Sequence, residues 1–328
     1  MTESPNIDQA FQRFLQECRE WKGTPHGYHF LMNYLTNPWR WFLNYYVEIE
    51  EVRSPSLQLG GAVHDAIHAF YKFGFEYGLN TIQTLLADNE ELKSIGEALY
   101  MEWVNRSQPT YSVEHVELPL LFRLCNGFPI SGRIDRIARM KSNPDHLFIL
   151  ETKTTGWSIE GTMKKVAIED QATLYLLGTP VPVEGVLVEV LYYRKLAKGI
   201  TTQSALSSLI YRSPTYLQQY NIMLSGVVDE IYQKICAFEA HPTIENALRL
   251  FPRNGQSMSQ FGDVYMDLLY TRGFQLEYGD ISEFPHIQKS QGKEVWDAFK
   301  TAYRHHVLGD EPIDGGTADP HTTPVSHP

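Results

Sequence analysis

The chain has 328 residues, 43% of them hydrophobic, with a formal net charge of -11. This length and apolar share allow one large globular domain or two ordinary ones, while the acidic balance argues against a general nucleic-acid-coating protein but leaves room for a locally basic groove. No run approaches the roughly 18 uninterrupted apolar residues that cross a bilayer, so no membrane partner is expected. Cys18, Cys125 and Cys236 form no CxxC pair, and no secretory signal opens the chain, which fits a reducing cytoplasm. Neither GxxxxGK[ST] nor GxGxxG occurs, so any motor or redox cofactor would belong to a partner.

From the amino end, Phe11, Phe14, Leu15, Cys18 and Trp21 fall at helical spacing. The aromatic stretch YHFLMNYLTNPWRWFLNYYVEI is interrupted at Asn37-Pro38, which predicts one helix ending and another starting. Gly60-Gly61 is expected to open a helix that carries His64 and His68 four residues apart, one turn apart on one face. From about residue 112, VEHVELPLLFRL and FPISGRIDRIARM show the alternation of strands, and LFILETKTT is the near-continuous apolar run of a strand buried on both faces. GTMKKVAIEDQATLYLLG then predicts a helix, EGVLVEVLYYRK a strand, and residues 214 to 240 a helix. FPRNGQSMSQFGDVYMDLLYTRG is hard to assign, and the Pro-, Gly- and Thr-rich end predicts disorder. The order predicts an α/β class: a small mixed sheet inside a helical wrapping.

The chemistry concentrates in the central strands. Glu151 and Lys153 stand two apart, on one face of a strand that has just been apolar. Asp135 sits in the preceding strand with Arg133 on its own side. If the two strands are neighbours, the carboxylates of Asp135 and Glu151 approach, and a proton or cation must sit between them. A divalent cation fits best; oxygen donors suit Mg or Mn, and an imidazole shifts the preference toward Mn. Arg133, Arg136, Arg139 and Lys141 give the strand a local basic character that could steer DNA.

Gly132-Arg-Ile-Asp135 followed by Glu151-Thr-Lys153 resembles the PD-(D/E)XK nuclease superfamily, and in particular its RecB-like branch. GGAVHDAIHAF is similar to that branch's first motif, Gln171-Ala-Thr-Leu-Tyr175 to its QxxxY motif, and NYLTNPWRWFLNYY to the segment that begins its nuclease module. The resemblance spans roughly residues 28 to 270. It implies a metal-dependent DNA nuclease, most readily an exonuclease of recombination, repair or defence, with His64, Asp135 and Glu151 as metal ligands and the Thr152 carbonyl as a further one. Lys153 would stabilise charge on the phosphate or help position the attacking water, and Gln171 and Tyr175 would orient the lysine or contact the DNA backbone. Catalytic roles thus fall on Asp135, Glu151, Lys153, Gln171 and Tyr175, and DNA contacts on Arg133, Arg136 and Tyr175. A single nuclease domain is expected over 1–308, with a helical part to about 106, an α/β core over about 110–212, a helical part over about 214–308, and a tail at 309–328.

Many RecB-like relatives close an iron-sulfur cluster with a Cys before the first Pro and three near the end of the module. Here the first position reads Thr36-Asn37-Pro38 and the later stretch has no Cys, so a cluster-free variant is expected. A catalytically silent DNA-binding or assembly subunit, working with a helicase or recombinase, is the alternative. A zinc peptidase, drawn from His64-Asp65-Ala66-Ile67-His68, has no Glu after the first His and no third ligand. His68 is assigned to the core or to a supporting role.

Overall fold

The computed structural model describes residues 27–252 and 265–310. The expected helix over Phe11–Trp21, most of the unassigned stretch after Phe251, and the tail beyond Asp310 lie outside the described residues.

Helix starts follow local chemistry. Asn37 ends α1 (Tyr28–Thr36) and caps α2 (Pro38–Tyr45), its side chain accepting from the Arg40 N–H at 3.2 Å with proline in the first turn. Ser54 and Pro55 repeat this logic at α3 (Pro55–Phe73), and Ser213 and Pro214 repeat it further on at a long helix over Pro214–Ala240. The helix carrying His64 therefore starts five residues before Gly60, contrary to the expectation that the glycine pair opens it. Gly60 instead sits within α3, where an added Cβ would lie 3.1 Å from Thr154 Oγ1; the glycine lets the helix approach the strand. Helices α4 (Phe75–Leu85) and α5 (Glu90–Glu102) pack beside α3.

A mixed five-stranded sheet follows, in the order β2 (Tyr111–Arg123), β3 (Pro129–Met140), β4 (Asn143–Thr155), β5 (Val186–Leu196), β6 (Gly199–Leu206). Only β4 and β5 run parallel, and their crossover holds α6 (Ile159–Ile168) and α7 (Asp170–Gly178). The single helix expected there is broken at Glu169, whose ψ of 147° is extended. Strand β6 was not expected. Its TTQSAL stretch alternates but is short and polar.

The sheet buries apolar residues on both faces. Ile149, Val188 and Val190 pack under Val166, Ala172 and Tyr175 of α6 and α7, while Leu191 on the opposite face joins Leu59, Val63, Ala66 and Trp103. The long helix α8 (Pro214–Ala240) packs with α1 and α2 in a third cluster, where Trp39, Trp41 and Phe42 are fully buried. Each such side chain contributes about 2–3 kcal/mol of burial. Helices α9 (Ile244–Leu250) and α10 (Met266–Arg272) follow. The carboxyl side then returns to the amino side: β7 (Ile287–Lys289) pairs antiparallel with β1 (Ile49–Glu51), and Trp296 of α11 (Gly292–Tyr303) lies 5.3 Å from Trp41 between ring centroids. Gly292 is required here, since a Cβ would run into the Asn44 carbonyl. Among the described residues no helix is long and apolar enough to cross a membrane.

Candidate functional site

The site lies where β3 and β4 part. Their antiparallel ladder ends at the pair Arg136 and Leu150, so the next positions, Asp135 and Glu151, face each other without ladder bonds. Asp135 fills the gap with its side chain, its Oδ2 accepting from the Thr152 backbone N–H at 3.0 Å. An acidic side chain thus replaces a strand bond at the point where the sheet opens.

His64 reaches the gap from α3. Its Nε2 lies 2.7 Å from the Thr152 carbonyl oxygen and its Nδ1 3.4 Å from Asp135 Oδ2. Glu151, with a side chain only 4% exposed, keeps one oxygen on Lys153 Nζ at 2.6 Å; the other, Oε2, is buried without a hydrogen-bond partner. Burial raises the Glu151 pKa and the Asp135 charge raises it further, against Lys153 and His64. An orphaned carboxylate oxygen, buried beside a second carboxylate and within reach of an imidazole and a carbonyl, is a donor set suited to a divalent cation. The donors are not closed around a point: among the described residues no group of three His, Cys, Asp or Glu has ready-made metal geometry.

Lys153 Nζ also donates to Gln171 Oε1 at 2.8 Å, and Gln171 Nε2 donates to the Tyr175 hydroxyl at 2.7 Å. Burial would lower the Lys153 pKa, but the Glu151 charge and hydrogen bond, with Asp135, outweigh it and the pKa is raised. Burial, then the charges of Glu151 and Asp135, push the Tyr175 phenol well above its ordinary value, so it remains a neutral hydroxyl. The Q and Y of the motif, four apart on α7, thereby hold the lysine from behind.

Two expectations require correction. Arg136 does not face solvent: it is 1% exposed and its Nη2 donates to Glu189 Oε2 at 2.9 Å and to Thr152 Oγ1. Arg136 and Asp135 are successive strand residues and point to opposite faces, so the basic run of β3 is not one stripe. Tyr175, 7% exposed, is committed to Gln171 and is not placed to contact a nucleic-acid backbone. Arg139 lies at the far end of β3, paired with Glu114 at 3.0 Å.

Two residues escaped the sequence reading. Glu189 sits in register with Thr152 and neutralises Arg136; a lone acid within the apolar run VLVEVLYY was the available signal. Glu117 lies on β2 between the register pairs Val116 with Arg136 and Leu118 with Ile134, hence opposite Asp135. Its φ of 55°, left-handed within a strand, has no sequence signature.

A carboxylate pair, a supported lysine and an imidazole thus meet where the α/β sheet opens. The chain belongs to the PD-(D/E)XK nuclease superfamily, whose sequence model matches residues 30–243, more than half of its length. Members of this superfamily are in general metal-dependent hydrolytic nucleases. No curated protein matches the chain. The solved structure of SSO0001 shares 16% identity, covers 60% of this chain and 83% of its own, and has a TM-score of 0.22, too low to bear on fold or function.

Proposed function

We propose that the protein is a divalent-metal-dependent deoxyribonuclease of the RecB-like branch, acting from DNA ends in recombination, repair or defence, with residues 1–308 forming one nuclease domain. The observation that carries this reading is the orphaned Glu151 Oε2, buried in the gap opposite Asp135.

His64, Asp135, Glu151 and the Thr152 carbonyl would hold Mg or Mn. When bound, such a cation lowers the pKa of water and neutralises charge on the phosphate. The chain's own contribution is positional. Asp135 is fixed by the Thr152 N–H, and Lys153 stays protonated because two acids surround it. Gln171, itself held by Tyr175, shares the ammonium with Glu151, which leaves the third N–H donor of Lys153 for a phosphate oxygen. Hydrolysis breaks a phosphodiester P–O bond with water as the second substrate, so no redox cofactor enters.

End-labelled linear DNA and covalently closed circular DNA should be incubated with Mg or Mn. Chelator-sensitive loss of the linear substrate, with the circle spared, supports the end-acting reading; cutting of the circle would replace it with an endonuclease. A protein that binds DNA but cuts neither form under any divalent metal would instead be a silent subunit.

A further inference from the structure

Glu117 is costly in three respects. It adopts a left-handed backbone inside a strand, its side chain is only 16% exposed, and it faces another carboxylate, Asp135. Burial raises its pKa, and Asp135 adds to that; the Arg133 charge opposes both. The cation that answers Glu117 is Arg133, whose Nε contacts Glu117 Oε2. On its other side Glu117 Oε1 lies 3.8 Å from His68 Nδ1, an imidazole whose pKa is lowered by burial and then by Lys72 and Arg133. Glu117 therefore already has a counterion and is not read as a metal ligand.

The Arg133 side chain is 67% exposed despite this contact. The ion pair with Glu117 is made through Nε, and no hydrogen bond of either terminal nitrogen of Arg133 is found among the described residues. A guanidinium pinned at Nε presents its two remaining NH₂ groups as a fork, which matches two non-bridging oxygens of a phosphodiester. Arg133 and Asp135 are two apart on β3, so the fork and the candidate metal ligand share one face. Glu117, His68, His64 and Asp135 line one small pocket.

Resting on the nuclease reading, we propose that Glu117 is a positioning residue: it fixes Arg133 as the arm that grips a DNA phosphate beside the one being cut. With the Arg133 side chain mostly in solvent, the pair adds little to stability, so its value lies in the geometry it imposes.

The sign of one substitution separates this role from simple electrostatics. Glu117→Gln and Glu117→Gly both delete a negative charge next to the DNA path, which by itself tightens DNA binding. The positioning role requires the reverse. Glycine also suits the left-handed backbone, so Glu117→Gly tests the carboxylate in a chain whose fold is not penalised there; melting curves verify this. The probe is a fluorescein-labelled short duplex in Ca, followed by anisotropy across a salt series, with steady-state cleavage in Mg alongside. Arg133→Met should weaken binding about tenfold and reduce the salt slope by about one. Glu117→Gly should weaken binding several-fold with Glu117→Gln intermediate, raise KM more than it lowers kcat, and cause no further loss of affinity in the Arg133→Met background, where only the charge effect is left. Unchanged or tighter binding by folded Glu117→Gly, or additive losses in the double variant, would overturn the proposal while leaving the nuclease reading intact. A wild-type protein that neither binds nor cuts DNA would overturn both.

Discussion

His64 Nε2 and the Thr152 carbonyl oxygen, 88 residues apart in sequence, stand 2.7 Å from each other. Without a cation, this contact has to be a hydrogen bond with Nε2–H as the donor. A cation shared by the two would take the Nε2 lone pair, so the ring would have to carry its proton on Nδ1, the nitrogen 3.4 Å from Asp135 Oδ2. His64→Ala is expected to weaken Mn binding about 10- to 100-fold by isothermal titration. His68→Ala should leave it within about twofold, because His68 points to Glu117.

Lys153 presents a different expectation. Its ammonium acts on developing charge, so Lys153→Ala should lower kcat by about 10²–10³ at unchanged Mn affinity. Gln171→Ala removes only one of its two supports, and should cost less, about tenfold. Single-turnover cleavage with saturating DNA distinguishes these losses from weaker binding.

The Arg136–Glu189 pair is buried to 1% exposure on both sides. Removing one partner leaves an uncompensated charge, so Arg136→Met should destabilise the fold by about 3–5 kcal/mol in urea titration. The double change Arg136→Met with Glu189→Leu should recover most of that stability. Because Arg136 also donates to Thr152 Oγ1, the recovered protein should still bind Mn about tenfold more weakly.

Asp135 and Glu151 repel in the metal-free chain. The folded pKa of Glu151 is raised above its unfolded value, so the folded state binds more protons there, and stability falls as pH climbs from the ordinary carboxylate range of about 4.3 through the raised value. Asp135→Asn removes part of the repulsion. In EDTA near neutral pH it should melt higher than wild type, by about 1 kcal/mol, with the gap closing as pH drops toward the ordinary range and Glu151 protonates. With Mn present the order should reverse, since the variant loses a ligand.

Much of the site was legible because catalysis asks for residues that the fold alone would not place. Asp135 in SGRIDRI and Glu151 with Lys153 at the end of LFILETKTT interrupt apolar strands, and two-residue spacing put the latter pair on one face. Gln171 and Tyr175 came from the resemblance to the QxxxY motif, whose spacing puts both on one helical face, where they do meet. What was missed depends on neighbours across the sheet. Arg136 looked like part of a basic stripe because the partner that buries it, Glu189, is on a strand 53 residues later. Glu117 resembles any polar residue on an alternating strand, and its left-handed backbone has no signature in the sequence. The boundaries of α3 were misjudged for a similar reason: Gly60 serves a close approach to Thr154 rather than a helix start.

The aromatic cluster also bears on how the chain is made. Trp296 packs against Trp41, Phe42, Tyr46, Phe238 and Phe251, and β7 supplies the partner of β1. A ribosome-bound chain that has not yet released α11 therefore has α1 and α2 without the Trp296 indole and β1 without the strand it pairs with. The strands that carry Asp135, Glu151 and Lys153 emerge well before this closure, so synthesis leaves an interval in which the candidate site residues exist but the aromatic body beside them is incomplete.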